Sequence, residues 1–171
     1  SPDKEVLRYN HALRRGIDSM KDGLPIGSRL IEFIHATLVD KEREYRKTQN
    51  ALRNEATGEV VYTPPPPQEV RGYISDLEKF IHGGRIDDQL IKAAVAHYQF
   101  EAIHPFSDGN GRTGRILMVL CMIHYGLLDL PVLFTSAYIA RTKAKYYAMI
   151  RNVTEKDEWI PYLEYMLTAF G

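Results

Sequence analysis

A single cysteine, Cys121, sits in an apolar run, so the chain has neither a disulfide framework nor a thiolate metal site. It reads as a small buried apolar residue. An excess of charge of either sign is also missing: Lys+Arg 22 balances Asp+Glu 22. No bulk field therefore attracts nucleic acid or an acidic membrane, and any anion site must be local. No apolar run reaches the roughly 18 residues a membrane span needs. The chain begins Ser1-Pro2 without a methionine or a signal-like segment, so it is expected to be a fragment of something longer. A reducing, cytoplasmic setting is expected, with no nucleic-acid and no membrane partner.

What remains, 171 residues with 44% hydrophobic and 26% charged, suits a single domain spanning residues 1–171. Helical periods dominate. Val6, Tyr9, Leu13, Ile17 and Met20 form one stripe, and Leu30, Ile31, Ile34, His35 and Leu38 a second behind Ser28, a plausible N-cap. His35 reads as a packed, hydrogen-bonded imidazole, and Lys41 to Lys47 as a solvated charged run. Residues 48–63 break the pattern: two short extended segments flank Thr57-Gly58, a hairpin signal. Pro64 to Pro67 end any pairing, and the last can open the next helix, from about Gln68 to His82. Gly83-Gly84 stop it, and Asp87 or Asp88 caps an alanine-rich helix running to Ile103. Ile116 to Tyr125, apolar nearly all round, predicts a central buried helix. Leu127 to Phe134 reads as a connector, followed by helices from Ser136 to about Val153 and from Trp159 to Phe170. The expected fold is all-α with one β-hairpin.

Between two of these helices lies His104-Pro105-Phe106-Ser107-Asp108-Gly109-Asn110-Gly111-Arg112-Thr113-Gly114-Arg115. Its glycines spell G-x-G-x-x-G, with Asp129 about twenty residues on, but no strand precedes them, which rejects a dinucleotide fold. A Walker loop fails for want of G-K-[ST]. The shared physics survives: glycines at a helix N-terminus expose amides that bind phosphate oxygens. Arg112 and Arg115, three apart, project to one side and suit a polyphosphate, or else pair with carboxylates. Asp108 is either an N-cap or a ligand to Mg²⁺, which takes one or two carboxylates beside substrate phosphates. His104, pushed out of helical geometry by Pro105, is a candidate base near neutral pH. Phe106 anchors the loop in the core. Asn110 either donates to a phosphate or adopts the positive φ of a tight turn.

Residues 104–115 resemble, at every fixed position, the Fic-domain signature H-P-F-x-[DE]-G-N-G-R-x-x-R. Ala96 to Glu101 resembles that family's central helix, Tyr45 to Asn50 with Tyr62 to Pro67 its hairpin flap, and Ser136 to Ile139 with Tyr146-Tyr147 its later helices. The resemblance implies a Fic-type helical bundle with a flap over the active site. It implies transfer of AMP from ATP, with Mg²⁺, to a Ser, Thr or Tyr hydroxyl of a target protein. By it, His104 is the catalytic base and Asp108 holds the metal. The Gly109 to Gly111 amides, with Asn110, bind the α-phosphate, Arg112 and Arg115 take the β- and γ-phosphates, and Thr113, Gly114 and Asn50 are also at the nucleotide. Tyr146 and Tyr147 wall the nucleoside or are core aromatics. Val61 and Tyr62, on the flap, dock an extended target segment by strand pairing. Many members carry an inhibitory [ST]-x-x-x-E-[GN] helix. Here Ser1 to Glu5, Ser28 to Glu32 and Thr154 to Glu158 match in part, and none completes it. The brake is expected either to be lost with a missing N-terminal segment, which leaves Arg115 free and makes self-modification expected, or to come from an inhibitory partner chain. A homodimer is a further candidate partner. Phosphoryl transfer, removal of AMP, and an antitoxin-regulated interaction module are the alternatives.

Overall fold

A computed structural model describes residues 2–40, 43–54, 56–83, 85–128 and 134–170, with the side chains of residues 2, 3 and 134–136 left undescribed. Eight helices are found among them: α1 (Pro2–Lys21), α2 (Ser28–Val39), α3 (Val70–Gly83), α4 (Gln89–Ile103), α5 (Asn110–His124), α6 (Phe134–Arg141), α7 (Lys143–Lys156) and α8 (Trp159–Phe170). Two short strands, β1 (Leu52–Arg53) and β2 (Val60–Tyr62), pair antiparallel between α2 and α3. The all-α expectation with one hairpin is met. Gly84, Asp129 and most of the expected Leu127 to Phe134 connector lie outside the described residues.

The core follows from two helices without a polar side. On α5, Ile116, Leu117, Met118, Val119, Leu120 and Cys121 are all buried, so the helix must be enclosed. It packs on α4, α2 and α1. On α4, buried Ala93, Ala94 and Ala96 keep the surface flat enough for α3, α5 and α8 to approach together. Tyr162 on α8 is fully buried and donates its hydroxyl to the Ala94 carbonyl at 2.6 Å. Asp88 caps α4, accepting from the Leu90 and Ile91 amides at 2.9 and 3.0 Å. Pro67 opens a 3₁₀ turn, Pro67–Glu69, that leads into α3.

Two local expectations are corrected. Ser28 is not the cap of α2: Gly27 is, in extended geometry, and Ser28 is the first helical residue. Its hydroxyl instead pairs with the Tyr45 hydroxyl at 2.8 Å. The second correction concerns the charged run. Lys41 and Glu42 lie outside the described residues, but Tyr45 and Arg46 are buried, with exposures of 6% and 4%. Charge density alone misreads Arg46, because a guanidinium can be satisfied by backbone carbonyls as well as by water.

Candidate active site

The loop joining α4 to α5 is short and its backbone is unusual at both ends. His104 ends α4 in left-handed geometry (φ 47°, ψ 60°), its amide donating to the Phe100 carbonyl at 3.0 Å. The proline after it does exclude the right-handed helix, but the outcome is the left-handed C-cap and not the extended conformation. At the other end Gly109 caps α5 with φ 77°, and a Cβ there would come within 2.9 Å of Val39. Glycine meets both demands.

Between these ends the loop is closed by its own residues. Asn110 is buried; its carbonyl oxygen accepts from the Phe106 amide and its NH₂ donates to the Phe106 carbonyl, both at 2.8 Å. The positive φ expected as one alternative belongs to Gly109, not to Asn110, and the Asn110 carbonyl oxygen and one of its two N–H donors serve the loop backbone. Phe106 is fully buried and stacks on His35 with ring centroids 3.6 Å apart, the core anchor expected of it. His35 in turn hydrogen-bonds the Asp108 carbonyl through Nε2 at 2.9 Å.

Asp108 is not a side-chain cap of α5; its exposed carboxylate accepts from the adjacent Gly109 amide at 2.7 Å. Among the described residues, no three His, Cys, Asp or Glu side chains converge as a metal cage. One exposed carboxylate suits a cation that completes its shell with water and phosphate oxygens, as Mg²⁺ does. Arg112 lies 3.9 Å from Asp108 and 3.4 Å from Glu5 of α1, exposed pairs worth little against a bound polyanion. Arg115 has no ion pair among the described residues, and its Nε is buried without a hydrogen-bond partner. Its guanidinium lies against the first turn of α5, where a Cβ on Gly111 would sit 3.3 Å from it.

His104 is mostly buried, and that burial pushes its imidazole down to about 4. The Glu101 carbonyl works against this, and the Arg46 charge reinforces it. At neutral pH the ring is therefore uncharged and able to accept a proton.

Other expected site residues are placed differently. Thr113 is fully buried, and Gly114 faces Phe100 and Glu101, so both lie inside the α4–α5 interface and not in a phosphate cradle. Tyr146 is a core residue, 4% exposed, with its hydroxyl 2.6 Å from His97 Nε2; it walls nothing open. Tyr147 does line a cavity of about 520 Å³ between the hairpin and α7, with Leu52, Val61, Tyr62, Glu101 and Arg151. Asn50 sits under the loop, donating to the Phe106 carbonyl at 3.1 Å. Tyr62 turns its hydroxyl onto the Ala102 carbonyl at 2.6 Å, which leaves backbone as what it can offer a target. Val61 is half-buried on the same strand, lining the cavity.

Sequence pattern also passed over His97 and Glu101. Both fall on the face of α4 that carries Ala94, four residues apart, and both are buried. Burial pushes Glu101 up to about 7, with Arg115 pulling the other way, and pushes His97 down to about 4. Polar residues in helical register with close-packed alanines were the signal available.

The profile of the Fic/DOC family matches residues 25–122, more than half of the chain. The chain belongs to this family. It is 34% identical over 94 residues to a probable protein adenylyltransferase of Aquifex aeolicus, covering 55% of this chain and 27% of that protein. It is 29% identical over 142 residues to the protein adenylyltransferase Fic of Drosophila erecta, covering 77% and 28%. The chain thus spans about a quarter of the length of these relatives. Its fold superposes on a Fic family protein from Desulfovibrio desulfuricans with a TM-score of 0.78 at 26% identity, covering 97% of this chain and 50% of that one. The signature residues therefore sit in a Fic fold, on the loop between α4 and α5.

Proposed function

We propose that this Fic chain transfers AMP from ATP to a hydroxyl group of a protein. The observation that carries this reading is the pairing of a neutral, loop-mounted imidazole with an arginine-bearing helix N-terminus at the two ends of one short loop. Names of relatives as adenylyltransferases support it.

In this reading the Asn110 and Gly111 amides and the positive end of α5 receive the α-phosphate, joined by the Gly109 amide once Asp108 turns its carboxylate to the metal. Arg112 and Arg115 hold the β- and γ-phosphates, where fixed guanidiniums stabilise the charge that develops on the leaving group. The nucleoside enters the cavity between hairpin and α7, with Tyr147 as one wall. His104 takes the proton of a Ser, Thr or Tyr hydroxyl, the freed oxygen attacks the α-phosphorus, and pyrophosphate departs. Mg²⁺, held by Asp108 and phosphate oxygens, would neutralise charge on the polyphosphate. A target segment paired along the hairpin brings its hydroxyl to His104 with little demand on sequence, so the chain itself is one substrate.

ATP labelled at the α- or the γ-phosphate, incubated with the chain, Mg²⁺ and a heat-inactivated cell lysate, tests the reaction class. Protein-bound label from the α-position alone, absent with His104→Ala, is expected. Label from the γ-position would make the chain a phosphoryl transferase and overturn the reading.

A further inference from the structure

The carbonyls that end α4 and continue into the loop are taken, one after another, by residues from the segment between α2 and α3. Tyr62 donates to Ala102 O at 2.6 Å. Arg46 donates from Nε to His104 O at 2.9 Å and from a terminal nitrogen to Ile103 O at 3.4 Å. The Arg46 amide donates to Pro105 O at 2.9 Å, and Asn50 donates to Phe106 O at 3.1 Å. Five consecutive carbonyls, 102 to 106, are thus satisfied by the strap that also carries the hairpin. Helix C-termini leave such carbonyls without partners, and a buried one left unsatisfied costs about 1–3 kcal/mol.

Arg46 is the centre of this arrangement. It is 4% exposed, and no carboxylate pairs with it among the described residues. Its remaining donors reach the Thr48 and Pro65 carbonyls, one on each side of the hairpin's base. One rigid, planar fork therefore ties the backbone of His104 to both legs of the hairpin. A buried cation held only by carbonyl dipoles is costly to retain, and packing alone does not call for one.

We propose that Arg46 is a positioning residue for this reaction: it fixes His104 in its left-handed pose and locks the hairpin to it, so that base and target move as one unit. The proposal rests on His104 being the base. The groups that act on His104 are the Arg46 guanidinium from the strap and the Glu101 backbone from α4, while Tyr62 from β2 bonds the Ala102 carbonyl two residues back. Of the charged side chains, Arg46 is the one that depresses the His104 imidazole. Tyr62 is neutral, its hydroxyl pushed up to about 12 by burial.

The test compares Arg46→Gln and Arg46→Lys with the unaltered chain by three readouts. In ¹⁵N NMR, with His104→Ala identifying the resonance, Arg46→Gln raises the His104 midpoint toward 6.5 by removing the Arg46 charge and loosening the burial that holds it down. Arg46→Lys, which keeps the charge, leaves that midpoint nearer its original value. By amide exchange, the β1–β2 bonds lose protection in both variants. In AMP transfer, kcat falls about 100-fold in Arg46→Gln while KM for ATP stays within about threefold, as misplacing a base without touching the nucleotide requires. An unmoved His104 midpoint with intact hairpin protection overturns the proposal, as does a change confined to KM for ATP. Should Arg46→Gln not fold, Arg46→Lys and Asn50→Ala decide it. Loss of hairpin protection with a reduced kcat in both supports the proposal, and unchanged protection in both overturns it. If the unaltered chain transfers no AMP, the proposed function fails, while the NMR and exchange results still decide whether Arg46 couples His104 to the hairpin.

Discussion

The two ends of the α4–α5 loop are built in opposite ways. At the α5 end the chain closes on itself: Asn110 bonds both backbone groups of Phe106, four residues back, and Gly109 supplies the positive φ. At the α4 end nothing local suffices. The carbonyls from Ala102 to Pro105 are closed from outside by Tyr62 and Arg46, residues about 40 to 60 positions away, and Asn50 adds a second bond to the Phe106 carbonyl that Asn110 already serves. The half proposed to bind the anion is therefore a self-contained motif, and the half proposed to accept the proton is an assembly. An enzyme built this way keeps its phosphate cradle rigid, while the placement of its base depends on the hairpin.

Substitutions can set the two halves against each other. His104→Ala should have the largest effect, lowering AMP transfer by about 10²–10⁴-fold with nucleotide affinity nearly unchanged, measured by initial rates and calorimetric titration. Equal loss of both would assign His104 to binding. Next comes Asn110→Ala, which strands the buried Phe106 amide and should cost about 3 kcal/mol of stability in urea unfolding. A cost below about 1 kcal/mol would mean that the α5 end is not self-supporting.

Acid should act on the α4 side. His97 and His104 are held neutral in the fold near 4, against about 6.5 unfolded, so the unfolded chain binds more protons between those values. Their contribution is full above about pH 6.5 and is lost as pH falls toward 4. Glu101, raised to about 7, has the opposite sign: what it contributes is present below its unfolded value and is lost as pH rises through 7. The Tm should fall more steeply on acidification in Glu101→Gln than in the unaltered chain; parallel curves would contradict the assignment. The smallest effect belongs to Tyr62→Phe, which removes one of the external bonds and should cost about 1 kcal/mol.

The same asymmetry explains what the sequence disclosed. The α5 end was legible because its partners are neighbours: Gly109, Asn110 and Gly111 stand at fixed spacing, and Phe106 is the one large apolar side chain of the loop. The helices were legible because their apolar periods are long. Arg46 was hidden in a run of charges, since its carbonyl partners lie near positions 48, 65 and 103–104 and leave no local trace. Tyr146 and Tyr147 are adjacent on one helix, and only tertiary packing decides that Tyr146 turns to His97 while Tyr147 meets the cavity. Thr113 and Gly114 look like part of a glycine loop until α5 is seen to begin at Asn110, which turns both into the α4 interface.

The central claim is that a neutral His104 activates a protein hydroxyl toward the α-phosphorus of ATP. Intact-mass spectrometry of the chain after incubation with ATP and Mg²⁺ tests it most directly. The account predicts an added AMP on the unaltered chain and none on His104→Ala. The same adduct on both, a phosphate in place of AMP, or no adduct on either would contradict it.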